Sequence, residues 1–197
     1  MEFPKNFPPI SEPLLPSYDW FDFGTNTGYK RFYCAGTEEG VFLTTQTFVS
    51  GSYSGIAEPT VDTDFDITFK TALDIKGKVI ISFPAVLHNN EVGTETIAGA
   101  LTLRIRKYSG TTETEVANTT FNYSQSLGTG AYSYEQRAFS IEVPQTHYAA
   151  GDVLRFTVGI ANVTLGRILY YYSTEDLTVT GLRSSQLTLD IPFNVKQ

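Results

Sequence analysis

Residues 146–160, THYAAGDVLRFTVGI, place a Gly-Asp turn directly before a segment in which apolar and polar residues alternate. Successive side chains of a β-strand point to opposite faces, so this alternation predicts a strand covered by the core on one side. Gly151 gives the backbone the freedom that the corner needs, and Asp152 can hydrogen-bond the amides of its own turn. The inward face of the predicted strand is formed by Leu154, Phe156, Val158 and Ile160.

The same order of short strand, polar turn and short strand recurs along the chain after about residue 60. Lys76-Gly77-Lys78 is predicted to be one of these turns, directly before a strand over 79–83. The sequence shows no internal repeat, and no stretch beyond residue 60 has an eleven-residue helical period. These features predict an all-β fold, namely an antiparallel β-sandwich of the jelly-roll type with about eight strands after residue 60.

The chain divides into three predicted segments. Two apolar stretches, YKRFYCA and VFLTTQTFV, predict a β-hairpin near the N-terminus, and the Gly/Ser-rich residues 50–55 after it form a hinge or a wide turn. The predicted segments are an extended Pro-rich arm with an aromatic anchor (1–27), the hairpin with its Gly/Ser turn (28–55) and the jelly-roll β-sandwich (56–197).

The N-terminal arm combines prolines with regularly placed apolar side chains. Residues 1–17 hold five of the nine prolines of the chain, which excludes a helix and favours an extended path. Such an arm can lie across its own domain or across a neighbouring subunit, and the aromatic cluster after it is an anchor or a stacking platform. The predicted partner-binding residues are Phe3, Phe7, Ile10, Leu14, Leu15, Trp20, Phe21 and Phe23.

Composition excludes several classes of partner. The net charge of −7 argues against sequence-independent binding of nucleic acid, which needs a clustered basic surface. No run of about 18 apolar residues is present, so no membrane span is predicted. The first residues lack the basic and apolar regions of a secretory signal, so we expect synthesis in the cytoplasm without a signal peptide.

The sequence offers little for catalysis. Cys34 is the only cysteine, so no intrachain disulfide can form, and no flanking motif links it to His88 or His147. No nucleophile is paired with a base in any recognisable spacing, and no zinc-ligand spacing is present. The sequence therefore predicts that the protein is not an enzyme and needs no cofactor.

Two sets of side chains are candidates for binding. The carboxylates of Asp62, Asp64 and Asp66 share one face of a predicted strand, where they hold calcium or form a charged outer surface. The tyrosines of the second half of the chain are candidates for a ligand surface, because exposed aromatic rings stack on flat ligands. These tyrosines are Tyr132, Tyr134, Tyr170, Tyr171 and Tyr172.

Two stretches, GYKRFYCAGTEEGVFLTTQTFVSG (28–51) and AAGDVLRFTVGI (149–160), together with the Pro-rich arm, resemble bacteriophage virion proteins, especially head decoration or cement proteins. The resemblance implies a trimer on the capsid surface that binds capsid proteins and its own copies. It also implies that the protein stabilises the shell through subunit contacts and does no chemistry.

The leading hypothesis is therefore a non-enzymatic virion structural protein, a decoration or cement subunit. A single-jelly-roll capsid protein is an alternative within the same class. An alternative from another class is a carbohydrate- or receptor-binding β-sandwich module of the fibre or lectin type, for which the exposed tyrosines would form the binding surface.

Overall fold

The computed structural model of the chain describes residues 27–37, 40–45, 56–57, 62–164, 167–171 and 186–194. The predicted arm, apart from Thr27, and the Gly/Ser turn at 50–55 lie outside the described residues, and the segment boundaries stay predictions. The predicted contact residues that also lie outside them are Phe3, Phe7, Ile10, Leu14, Leu15, Trp20, Phe21, Phe23 and Tyr172.

The described part of the chain consists of eleven β-strands joined by turns, without a helix. The prediction of an all-β fold is confirmed, and eight of these strands follow residue 60. Among the described residues no helical segment has the length and hydropathy of a membrane span. The strands are β1 Thr27–Thr37, β2 Gly40–Thr44, β3 Ile56–Ala57, β4 Thr63–Thr68, β5 Leu73–His88, β6 Glu95–Ser109, β7 Thr112–Leu127, β8 Tyr132–Tyr148, β9 Val153–Thr164, β10 Arg167–Tyr171 and β11 Thr188–Asn194.

The strands are hydrogen-bonded in one continuous order, β3-β10-β5-β11-β1-β2-β4-β9-β6-β7, and β8 pairs with the other edge of β5. The pairings are antiparallel except for the short contact of β2 with β4, where Phe42 lies opposite Asp66. The sheet curves until β7 approaches β8, so it is nearly closed into a barrel around one core. The predicted antiparallel arrangement is thus confirmed for all pairings but one, and the strands form a single sheet.

Alternating side chains build the core, as the strand period of two requires. On β5 every second residue from Val79 to Leu87 is buried, and on β9 the four apolar residues predicted from the sequence point inward. Full burial of one such side chain contributes about 1.5–3 kcal/mol. The larger core residues include Phe32, Phe65, Phe83, Leu101, Leu103, Phe139, Ile141, Phe156, Leu189 and Ile191.

Side chains rather than backbone hydrogen bonds close the seam between β7 and β8. The rings of Phe121 and Phe139 lie 4.1 Å apart, centroid to centroid. The guanidinium of Arg137 lies 4.7 Å from the ring centroid of Tyr123, which is a cation–π contact. Burial at this seam raises the pKa of Tyr123 to about 12. Aromatic packing therefore holds the two long strands together where no ladder joins them.

The turn predicted at Lys76-Gly77-Lys78 is wrong, because β5 continues through these residues. The pairing with β8 shifts register between Ile75 and Gly77, which is a β-bulge. Gly77 has a φ of 114°, a value that side chains other than glycine rarely adopt. Gly77 therefore lies at a bulge inside one long strand and not in a turn between two short strands.

The Gly-Asp turn before β9 forms as predicted. Gly151 has a φ of 92°, and the Asp152 carboxylate accepts a hydrogen bond from the Ala149 amide at 2.8 Å. Lys107 on β6 donates to the same carboxylate at 2.8 Å. Hydrogen bonds from Lys107, from Ser109 and from the amide lower the pKa of Asp152 to about 2. The turn is therefore fastened to β6 by a charged contact that needs an ionised carboxylate.

We expect this contact to make stability depend on pH in the acid range. The pKa of Asp152 is lower in the folded chain than its ordinary value of 3.8, so the stabilisation is present above that value and disappears as pH falls toward about 2. Asp152→Asn should flatten the fall of melting temperature between these two pH values. Lys107→Met should make the fall smaller and confine it to the upper part of this range, because the pKa of Asp152 then lies closer to its ordinary value. An acid transition of Asp152→Asn identical to that of the wild type would contradict this assignment.

Candidate functional site

The register between β5 and β8 determines which side chains reach the outer surface. Val79, Ile81 and Phe83 are buried on β5, so the residues between them face outward. In an antiparallel ladder directly opposed residues share a face. His88 lies opposite Tyr132, and Tyr134 is the next residue of β8 that faces outward. This pairing brings together three rings on the outside of the sheet.

The three rings form an exposed aromatic stack, here meaning His88, Tyr132 and Tyr134. The rings of His88 and Tyr132 are parallel within 2°, with centroids 4.0 Å apart. Those of Tyr132 and Tyr134 are inclined by 16° at 6.1 Å. The tyrosines remain 52% and 37% exposed. The stack is therefore an ordered aromatic surface open to solvent, with two phenol hydroxyls on it.

Of the five predicted tyrosines, two lie on β8, two lie on β10, and Tyr172 lies outside the described residues. The sequence placed Tyr132 and Tyr134 in a ligand surface, and in the structure they lie in the stack. Tyr170 pairs with Ala85 and Tyr171 with Ile56, so β10 lies beside β5 near the stack. The sequence did not predict that His88 belongs to this surface. His88 and Tyr132 are cross-strand partners, and spacing along the chain does not reveal such a pair.

A shallow cleft lies at the other end of the same sheet face. It has a volume of about 390 Å³ and is lined by Tyr29, Arg31, Ile80 and Asp190. Arg31 Nε and Nη2 each donate to one carboxylate oxygen of Asp190, both at 2.8 Å. The hydrogen bond from Arg31 to Asp190 is the main reason why the pKa of Arg31 is raised. This planar pair is half exposed on the arginine side and offers donors and acceptors in one plane.

Sequence reasoning also missed the cleft. The alternation along β1 does indicate that Tyr29 and Arg31 face outward, because the buried Phe32 and Cys34 lie on the other face of the strand. Nothing in the sequence, however, pairs Arg31 with Asp190, which lies 159 positions later.

The three aspartates predicted for calcium lie on the outer face of β4 and its neighbours, and each is bonded to an arginine. Asp62 accepts from Arg104 at 2.9 Å, and Asp66 accepts from Arg155 at 2.8 and 2.7 Å. Asp64 accepts from Arg106 at 2.5 Å. Calcium would have to displace these guanidinium groups, and within the described residues no group of three or more His, Cys, Asp and Glu side chains is arranged as a metal site.

His147 and Asp74 form a pair of a kind that acid–base chemistry uses. His147 Nδ1 lies 2.6 Å from Asp74 Oδ1. The imidazole is 58% exposed, whereas the carboxylate is almost buried at 10%. A carboxylate in this position orients the ring, and more than half of the imidazole surface stays exposed. The two residues are 73 positions apart and meet because β5 and β8 run antiparallel.

No family model and no curated protein matches the chain. Among solved structures, a CocE/NonD family hydrolase from Staphylococcus aureus is similar at a TM-score of 0.56 and 16% identity, over 84% of this chain and 37% of that chain. An aminopeptidase from the marine sediment archaeon Thaumarchaeota archaeon has a TM-score of 0.58 and 8% identity, over 86% and 37%. An α-amino acid ester hydrolase has a TM-score of 0.56 and 12% identity, over 84% and 36%.

These likenesses show a shared fold, and this chain spans little more than a third of each hydrolase. They contradict the prediction that the protein is not an enzyme, because the same fold recurs in proteins that are hydrolases. The prediction rested on missing sequence motifs. A β-fold brings together residues that are distant in sequence, as His147 and Asp74 illustrate, so a missing motif does not exclude catalysis.

Weaker likenesses extend to a CBM4 protein, at a TM-score of 0.37, and to the infectious bursal disease virus Gx strain, at 0.23. Scores this low carry no argument about function. The structural neighbours of the chain belong to mixed functional classes, and the resemblance to bacteriophage virion proteins stays a prediction.

Proposed function

We propose that this protein binds carbohydrate through the outer face of β5 and β8. The observation that carries the proposal is the exposed aromatic stack. The large apolar side chains that are exposed in the described residues are Ile80, Val92, Tyr132 and Tyr134, and all but Val92 lie on this face. Exposed apolar groups that gather on one face are typical of a binding surface.

Carbohydrate suits this surface better than other flat ligands do. A sugar ring has an apolar C–H face that packs on an aromatic ring and hydroxyls at its rim that bond phenol and imidazole groups. A nucleic acid would also stack, but the net charge of −7 repels its phosphates. On β8 the one lysine or arginine is Arg137, and Glu135 holds it at 2.5 Å on the other side of the strand.

Removing one ring of the stack should weaken binding. Tyr132→Ala and Tyr134→Ala should each lower affinity for a bound glycan by about two- to tenfold, because one aromatic contact contributes about 0.5–1.5 kcal/mol. A panel of immobilised glycans identifies the ligand, and calorimetry on the best one gives the affinities. Tyr108→Ala is the matched control, since Tyr108 stacks with Arg155 on the outer face of the opposite layer. Equal losses for all three variants would contradict the assignment, as would a flat panel.

A virion subunit is a second candidate, and open strand edges favour it. In the described part of the chain β7 forms a ladder only with β6, and β8 only with β5. Outside the aromatic seam their other edges can pair with a strand of a neighbouring subunit. The apolar arm predicted from the sequence would supply a further contact between copies on a capsid.

Molar mass from light scattering tests the second candidate. A trimer near three times 21.8 kDa is expected, and deletion of residues 1–17 should leave a folded monomer. Repeating the measurement with a chelator tests calcium binding. A molar mass that falls on chelation would indicate that Asp62, Asp64 and Asp66 bind the ion in the assembly. A full-length chain that is monomeric at micromolar concentration would contradict the trimer.

A further inference from the structure

We propose that the ligand is an extended, neutral polysaccharide that lies along β8 and joins the aromatic stack to the Arg31–Asp190 cleft. The inference rests on the proposed carbohydrate binding and adds the length and the charge class of the ligand. Its basis is the position of the two sites, which occupy opposite ends of one sheet face.

The face between the two ends is continuous. From Tyr132 to Ser140 every second residue of β8 points outward and is exposed, and Ser140 lies opposite Ile80 of the cleft. Ile80 in turn lies opposite Asp190, which lies opposite Arg31. Eight residues at about 3.3 Å each separate the two ends by roughly 26 Å, a distance much longer than one sugar ring. A terminal monosaccharide would leave one end unused.

The middle of this face offers hydrogen bonds and no charge. Gln136 Nε2 donates to Ser82 Oγ at 2.6 Å, which fixes the amide across the two strands and leaves its carbonyl oxygen directed away from that bond. Ala138 and Ser140 continue the row with small neutral side chains. On β5 the outward residues Pro84 and Val86 are buried, so the exposed path follows β8. Small side chains beside an oriented amide suit hydroxyl groups of a chain that passes over them.

The cleft selects against a charged sugar. Both carboxylate oxygens of Asp190 accept from Arg31, so the guanidinium charge is already neutralised. A sugar carboxylate would have to displace Asp190 or approach it, and the net charge of −7 adds to the repulsion. Neutral vicinal hydroxyls can instead bond the outer N–H groups of Arg31 and the outer lone pairs of Asp190. Ile80, which is 42% exposed, provides an apolar contact beside them.

Calorimetry with unbranched neutral oligosaccharides tests the inference. The probes are cello-, xylo- and manno-oligosaccharides from one to six units, with oligogalacturonates as the anionic counterpart. We expect the affinity of the wild type to rise with chain length and to be lower for the anionic series. The double variant Arg31→Gln/Asp190→Asn, which keeps the cleft neutral and similar in size, should lose about tenfold affinity for the longest chains and none for the shortest ones that bind.

The variants separate the two claims. Tyr132→Ala should weaken binding at every length, because the aromatic stack is needed by short and long chains alike. Binding that depends on Tyr132 but neither rises with length nor responds to the double variant would overturn the extended ligand and leave carbohydrate binding intact. The absence of binding at any length would overturn both. Melting curves of all variants, which should match that of the wild type, exclude loss of fold as the cause.

Discussion

The long strand β5 is the element on which the rest of the structure depends. It is hydrogen-bonded on both edges, to β8 along its whole length and to β11 and β10 in succession on the other side. Its alternate residues are buried from Val79 to Leu87, so the hydrophobic core fixes the register of both neighbours. A slip by one residue would bury His88 and expose Leu87. The outward row of the proposed binding face is therefore a direct consequence of how the core is packed.

The two outer surfaces of the curved sheet differ in how their polar groups are used. On β4, β6 and β9 the aspartates and arginines bond one another, and Arg155 alone contacts Asp64, Asp66 and Glu113. Such a network satisfies its own charges and suits a solvated surface. From Tyr132 to Ser140 the outward residues of β8 carry no charge and instead present aromatic, amide and hydroxyl groups. This contrast supports assigning ligand binding to the second surface.

Local sequence predicted the features that local geometry determines. The all-β class and the Gly151-Asp152 turn follow from alternation and turn chemistry. Tyr132 and Tyr134 are exposed, and their role in a ligand surface stays a prediction. Contacts between strands could not be predicted from the sequence. His88 meets Tyr132, and Asp190 meets Arg31, only through the register of the folded sheet. Gly77 was assigned to a turn for a related reason, since a glycine with positive φ serves a bulge as well as a turn.

The most direct test of the account is a titration of the labelled protein with a neutral hexasaccharide, followed by the backbone amide signals in NMR spectra. If the ligand spans the face, the signals of His88, of alternate residues from Tyr132 to Ser140, and of Arg31 and Asp190 will shift together with one dissociation constant. The signals around Asp66 and Arg155 on the opposite surface should stay in place. Shifts centred on that opposite surface, or none at a saturating concentration, would contradict the account.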